Sequence, residues 1–341
     1  MNTAKRGRRK TTPAYLLGQK NTLARVTWLY HHQKLTQQQV AAEMGLSRPT
    51  VVRLLRQAME SGIVTVSLRL DVLSQMELSA RIAQRFRLKE VFIVPTSVEH
   101  GEADVLRAVA ETGALYLENS LRPNQILNVT WGRTLLQVAR SLQEHPVKGV
   151  VIAQTLGGLN SGHAINPYRV ASLFGEKLHA PVHHLSVPMM VASKKLRELF
   201  LSDPGVQATL AVSRLAAMTL VSVGKVDHSA TVVQTGLLSV SVIDQLKARG
   251  AVGDISGRYF DREGKRVLGD VEDRMLALSW KDFQRLGNLV AVVCGLDKRD
   301  AILGALRTGV LNCLIIDDQT ALALLEADEG ETTSESFRSA G

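Results

Sequence analysis

The sequence predicts an α/β protein with an N-terminal helix-turn-helix module of winged-helix-like type, followed by a Rossmann-like domain with a mainly parallel sheet. Residues 35–55 have the spacing of two short helices joined at a glycine. From about residue 91, apolar β-branched runs alternate with helical segments, which is typical of parallel sheets covered on both faces. Charge also divides the chain, because residues 1–70 contain 12 Lys/Arg and 2 Asp/Glu, whereas residues 71–341 contain 29 and 30.

Composition limits the class of protein. The 341 residues exceed one typical domain, and 45% of them are apolar, enough for a large core. The two cysteines, Cys294 and Cys313, form neither a disulfide framework nor a metal-ligand cluster, which favours a reducing cytoplasm. The longest apolar runs are too short to span a bilayer. We therefore expect a cytoplasmic protein without a membrane partner, a bound metal or a cofactor.

The chain divides into five predicted segments. The excess of positive charge at the front favours a polyanionic partner, although a solvated basic tail alone would also explain the run KRGRRK at 5–10. The segments are a basic flexible arm (1–20), a helix-turn-helix domain (21–70), a linker helix (71–90), an α/β domain (91–325) and a disordered polar tail (326–341).

Local signals define the two helices of the front module. Thr36 is a predicted N-cap, and Gln39 completes a capping box with it. Gly45 suits the left-handed position that ends the first helix. Ser47 is placed to cap the second helix, with Pro49 in the first turn, where the absence of an N–H is tolerated.

One face of the second helix is predicted to pack inward through Val51, Leu54, Leu55 and Ala58. The opposite face is basic, and in this layout the start of the second helix enters the major groove of duplex DNA. A helix-turn-helix used only for packing is the alternative. The segment 62–70 alternates as a strand, either a wing or a cap on the small core. The residues predicted to contact a DNA operator are Thr36, Gln37, Ser47, Arg48, Pro49, Thr50, Arg53 and Arg56.

The rear domain contains seven predicted strands, and ligands bind at the carboxyl ends of such strands. WGRT at 131–134 can offer N–H groups and a hydroxyl to an anion. The loop 155–167 is either a phosphate-binding loop or a flexible connection. No Walker A or GxGxxG pattern is present in the sequence, so ATP and NAD are not expected. The strands are predicted over 91–96, 125–132, 148–158, 181–188, 218–226, 289–295 and 312–318.

Two further residues are candidates for the same site. Asp254, surrounded by glycines, can accept sugar hydroxyls, or it is an ordinary turn aspartate. Lys298 lies near a predicted helix start, where an anionic ligand would offset an unfavourable dipole interaction. A solvated lysine is the alternative.

With these motifs in order, the chain from about 22 to 325 resembles the SorC family of bacterial sugar-binding transcriptional regulators. The resemblance rests on residues 35–66, on WGRT, TLGG and GAVGDISGRYFDREG, and on residues 294–321. It implies a helix-turn-helix joined to a sugar-phosphate-isomerase-like effector-binding domain at 91–325, with a phosphorylated sugar or polyol as effector. It also implies a dimer or tetramer, so that the linker helix at 71–90 is an oligomerisation helix as well. It also implies an effector pocket lined by Gly132, Thr134, Gly157, Gly158, Asp254 and Lys298, with Lys298 near the phosphate.

The hypothesis is therefore a regulator of a carbohydrate or polyol utilisation operon that binds a double-stranded DNA operator, and is nucleoid-associated when bound. The alternative is a sugar-phosphate isomerase-type enzyme that carries a DNA-binding domain. Against an enzyme, no His or Glu at a predicted strand end is convincingly paired as a general base, so no catalytic residue is expected. An architectural DNA-binding protein would leave the large α/β domain without a role.

Overall fold

The computed structural model describes residues 14–61, 63–64, 70–96, 101–144, 146–160 and 162–338. The chain forms two compact units, Met1–Val72 and Leu73–Gly341. The basic run at 5–10 lies outside the described residues. The first helix begins at Ala14, so the expectation of a flexible arm is wrong for residues 14–20, which are helical.

The first unit contains the predicted helix-turn-helix. Its helices are α1 (Ala14–His31), α2 (Gln37–Met44) and α3 (Arg48–Glu60). Apolar side chains from all three helices form one small core, of which Val26, Val40 and Val51 are fully buried. The small residue Ala41 is also buried there, at 6% exposure. The turn and packing pattern in the sequence therefore gave the correct fold for this unit.

The segment after α3 is described only in part. Residues 62 and 65–69 of the predicted strand lie outside the described residues, so the wing stays a prediction. Its last residue, Leu70, is not in a strand but begins α4 (Leu70–Phe86), because an amphipathic helical pattern continues from there to residue 86.

A seven-stranded parallel sheet forms the centre of the second unit, as the sequence predicted. The strands are β1 (Glu90–Val94), β2 (Ile126–Val129), β3 (Val151–Gln154), β4 (Val182–His183), β5 (Met218–Val221), β9 (Leu289–Val293) and β10 (Cys313–Asp317). Their order in the sheet is β1-β10-β9-β5-β2-β3-β4. Every strand pair in it is parallel.

Both faces of this sheet are buried. Successive side chains of a strand point to opposite faces, and along β9 Val290 and Val292 join one apolar cluster while Ala291 and Val293 join the other. This explains why the strands read as unbroken apolar runs rather than as alternating ones.

The helices that follow α4 are α5 (Glu102–Ser120), α6 (Arg133–Ser141), α7 (Pro167–Leu178), α8 (Lys194–Ser202), α9 (Pro204–Arg214), α10 (Thr231–Gln234), α11 (Val240–Ala248), α12 (Asp270–Arg274), α13 (Trp280–Arg285), α14 (Arg299–Arg307) and α15 (Asp318–Arg338), with a 3-10 turn at Leu296–Lys298. Most of them cover the two faces of the main sheet, whereas Val232 of α10, Ile243 of α11 and Val271 of α12 belong to a separate apolar cluster. Within the described parts of the chain, no helix is both long and apolar enough to cross a membrane.

The final helix corrects the predicted tail. α15 continues to Arg338, so residues 326–338 are helical rather than disordered. Asp328 within this segment is buried at 2% exposure. It accepts hydrogen bonds from Arg85 and from Arg307, the latter at 2.6 Å. The polar composition of this segment did not indicate a buried residue. Asp328 can nevertheless be buried because it is paired with two arginines.

A small antiparallel sheet lies beside the main one. It consists of β6 (Gly224–Lys225), β7 (Gly253–Ile255) and β8 (Arg258–Phe260). A turn at 261–264 is closed by a bridge between Phe260 and Arg266. The tighter turn at Ser256–Gly257, which joins β7 to β8, was not predicted.

Candidate functional site

Helix caps fix the conformation of the basic end of the first unit, where α2 and α3 begin. The Thr36 side chain accepts from the Gln39 N–H, and the Gln39 side chain accepts from the Thr36 N–H at 2.8 Å. Gly45 has a φ of 63°, which glycine adopts without strain. The Ser47 hydroxyl accepts from the Thr50 N–H at 3.3 Å. These bonds fix the angle at which α3 leaves the turn.

The predicted operator-contacting residues are gathered at this end of the unit. Arg48 donates to the Gln37 side chain at 3.4 Å, which links the first turns of α2 and α3. Arg53 and Arg56 are exposed and make no ion pair with any described residue. The Thr50 hydroxyl is 2.7 Å from that of Ser47, so it is already hydrogen-bonded within the protein. The remaining exposed residue of the set is Pro49.

In the second unit, a cleft lies where the strand order changes direction. From β2, strands β3 and β4 extend the sheet to one edge, whereas β5, β9 and β10 lie on the other side of β2. Loops after β2 and β5 therefore diverge and leave a crevice between them, the usual ligand position in such sheets. The cleft is lined by residues 130–134, 222–225 and 229–232, with Asp254, Ser256 and Lys298.

The N-terminus of α6 forms one wall of the cleft. Gly132 precedes the helix with a φ of 109°, a conformation that favours glycine, and no side chain of the described residues caps the first turn. The first N–H groups of α6, including that of Thr134, therefore have no intrahelical partner. Such groups, together with the helix dipole, favour an anion.

Lys298 provides a cation at the same wall. Its side chain is partly buried, and among the described residues its ammonium has no hydrogen bond and no ion pair. Burial lowers the pKa of Lys298, and the nearby charges of Arg133 and Lys225 act in the same direction. Lys225 differs, because it is paired with Asp227 at 2.9 Å and with Asp297 at 2.5 Å. An anionic ligand would therefore satisfy Lys298 first.

Asp254, on β7, also lines the cleft. Its Oδ2 accepts the Gly257 N–H at 2.7 Å. The absence of a side chain at Gly224 leaves room for Oδ1, because a Cβ there would be 2.1 Å from it. Burial raises the pKa of the Asp254 carboxyl to about 6, although the Gly257 bond and the Lys298 charge act in the opposite direction. This group can accept hydrogen bonds from ligand hydroxyls.

Two predicted pocket residues do not line this cleft. Gly157 and Gly158 are instead packed against neighbouring backbone and an aromatic ring. A Cβ at Gly157 would lie 2.5 Å from the Pro188 carbonyl oxygen, and a Cβ at Gly158 would lie 2.0 Å from the Tyr168 ring. The expectation that they form the pocket is therefore corrected: these glycines allow close packing.

The sequence reasoning also missed lining residues. Arg133 adjoins Thr134 and is exposed at the start of α6. Lys225 and Ser222 follow β5, so a search of every strand end would have found them. Ser256 follows Asp254 by two residues within a motif that had been noted. The segment 229–232 neither follows a predicted strand nor belongs to a motif, so no sequence signal identified it. It lies at the cleft because of the tertiary course of the chain after β6.

Comparisons with known proteins agree with this architecture. A family described as a putative sugar-binding domain matches residues 71–326. A transcriptional regulator of Escherichia coli, YjhU, is 31% identical over 89% of this chain and 93% of its own length. The erythritol catabolism regulatory protein EryD of Brucella abortus is 28% identical over 90% of this chain and 97% of its own.

A solved structure extends the agreement to the whole fold. The full-length sorbitol operon regulator SorC of Klebsiella pneumoniae superposes with a TM-score of 0.69 at 25% identity, covering 89% of this chain and 98% of that one. The similarity thus spans both the helix-turn-helix and the parallel-sheet unit. From these matches, the chain belongs to the SorC family of sugar-binding transcriptional regulators.

Proposed function

We propose that the protein regulates a carbohydrate or polyol utilisation operon and that a phosphorylated sugar or polyol modulates its binding to a DNA operator. The observation that carries the proposal is the partly buried ammonium of Lys298, which has no partner among the described residues and lies at the same cleft as the uncapped N-terminus of α6. This combination suits a phosphate. The carboxyl of Asp254, which lines the same cleft, suits hydroxyl groups. The names of two relatives refer to the polyols erythritol and sorbitol.

The first unit would bind the operator. Its exposed arginines lie on the helix that enters the major groove in this class of module, and Arg53 and Arg48 would contact guanine edges or phosphates. Thr36, Gln37, Ser47, Pro49, Thr50 and Arg56 complete the proposed contact surface.

A homo-oligomer, a dimer or tetramer, would pair two such units on a palindromic operator. Support comes from α4, which exposes Leu73 at 40% and Met76 at 61%, three residues apart and thus on one side of the helix. The effector would act by binding the DNA-competent and DNA-incompetent arrangements with different affinity. The protein would work in the cytoplasm, on the nucleoid when DNA-bound, without catalysis and without a cofactor.

Selection of an operator from random duplexes, followed by gel shifts, tests the DNA half of the proposal. Changing Arg53 to Ala is expected to weaken operator binding by about 1–3 kcal/mol if the arginine makes a bidentate guanine contact. Arg140→Ala, which removes an exposed charge on α6, is the control and is expected to leave operator affinity unchanged. If no duplex is preferred over random DNA at any salt concentration tested, the proposal is wrong.

A second experiment tests the effector half. Lys298→Ala is expected to bind the operator normally while losing the response to the polyol phosphate that affects the wild type. Lys281→Ala, an exposed lysine on α13, is the control. A normal response in Lys298→Ala would place the effector elsewhere. Isomerisation of pentose or hexose phosphates by the wild type would favour the enzyme instead.

A further inference from the structure

The turn between β7 and β8 has an unusual residue for its conformation. Ser256 and Gly257 both have positive φ values, 52° and 73°. A two-residue hairpin turn of this kind favours Asn, Asp or Gly, because other side chains are strained there. Glycine at the second position fits this rule, whereas serine at the first does not. Backbone strain of this sort is concentrated at functional sites.

Ser256 also has an unsatisfied hydroxyl. The residue is 4% exposed, and its Oγ has no hydrogen-bond partner in the part of the chain that the structure describes. A buried hydroxyl without a partner destabilises the protein, since the water it would bind has been removed. The hydroxyl therefore contributes no hydrogen bond to the fold. Two unfavourable features, the positive φ and the unpaired buried hydroxyl, coincide at this residue.

The position of Ser256 gives these features a common explanation. It lines the same cleft as Lys298 and the start of α6, two residues after Asp254. The Gly257 N–H bond to Asp254 holds the turn in place, so the carboxyl and the hydroxyl are presented together. A ligand whose phosphate lies at Lys298 would have its carbon chain in the cleft that this pair lines. A serine hydroxyl can both donate to and accept from a ligand hydroxyl.

We infer that Ser256 determines specificity in the effector cleft by hydrogen-bonding a hydroxyl group of the polyol portion of the effector. This inference rests on the proposed function. The ligand supplies the partner that the Ser256 hydroxyl lacks in the free protein. The protein thereby distinguishes a polyol phosphate from an analogue without the corresponding hydroxyl, because a polar group left unpaired in the bound state lowers affinity.

The test uses the full chain and compares Ser256→Ala and Ser256→Gly with the wild type. The probes are erythritol 4-phosphate, glucitol 6-phosphate and inorganic phosphate, titrated by calorimetry. Both variants are expected to bind the best polyol phosphate about 10-fold more weakly, in line with the loss of one hydrogen bond, with affinity for inorganic phosphate unchanged. Ser186→Ala, which alters an exposed serine outside the cleft, is the matched control.

Thermal unfolding separates this role from a structural one. Ser256→Ala is expected to unfold at the same or a higher temperature, since it removes an unsatisfied hydroxyl, and Ser256→Gly at a higher temperature still, since it also relieves strain. A lower unfolding temperature for the alanine variant, or unchanged polyol phosphate affinity in both variants, would refute the inference while leaving the proposed function intact. If the wild type binds neither polyol phosphate, the proposed effector class fails and the role of Ser256 fails with it.

Discussion

The buried carboxyl of Asp254 makes a quantitative prediction about stability. Burial raises its pKa from 3.8 to about 6 in the folded protein. Between these two values the folded state binds more protons than the unfolded state, so stability falls as pH rises. The side chain is 7% exposed, so solvent screening does not reduce the effect much. At about 1.36 kcal/mol per pKa unit, the ionised carboxyl lowers the free energy of unfolding by about 3 kcal/mol at pH 7.

The change Asp254→Asn removes the titration and keeps an oxygen that can accept the Gly257 N–H. The variant is expected to be more stable than the wild type by about 3 kcal/mol at pH 7, and by little at pH 4. Urea unfolding of both proteins from pH 4 to 8 measures this difference, in which the titration of other groups cancels.

Glu111→Gln is the control, because Glu111 is an exposed carboxylate on α5. Its profile is expected to follow that of the wild type. If the stability difference between Asp254→Asn and the wild type stays constant across this range, the carboxyl is not held in the environment that the cleft geometry indicates, and the reasoning is wrong.

Three further changes test other parts of the structure. Gly45→Ala is expected to destabilise the first unit by about 1–2 kcal/mol in urea unfolding, through its φ of 63° alone, because nothing lies within 4 Å of the new Cβ; no loss would mean that the turn relaxes. Gly158→Ala, whose Cβ would lie 2.0 Å from the Tyr168 ring, is expected to lower the free energy of unfolding by about 1–3 kcal/mol by the same measurement, with phosphate affinity retained. Loss of ligand binding without loss of stability would instead indicate that Gly158 lines the pocket. Asp328→Ala leaves two arginines without this carboxylate and is expected to cost about 3 kcal/mol; a neutral effect would show that α15 is not anchored there.

Local sequence rules predicted the structure correctly where a single residue type determines the backbone conformation. The caps at Thr36 and Ser47 and the turn at Gly45 were predictable, because each satisfies a specific backbone requirement. The strands were predictable because both faces of the sheet are buried. The fold class of both units followed from these signals.

The candidate site was predictable only in part, because its geometry depends on tertiary packing. Gly157 follows a strand, as Gly132 does, yet it meets the carbonyl of Pro188 rather than solvent. The sequence alone does not reveal how closely the Pro188 carbonyl approaches Gly157. Asp328 was similarly concealed, since its partner Arg85 lies 243 residues earlier in the chain.

The cleft draws its walls from short connecting segments that follow separate strands, while the sheet itself is covered on both faces by apolar side chains. Under the proposed function, substitutions in one such segment would alter which metabolite is recognised without disturbing the framework that supports the others. Such a division would let one scaffold serve regulators that respond to chemically different nutrients, with the response tuned a few residues at a time.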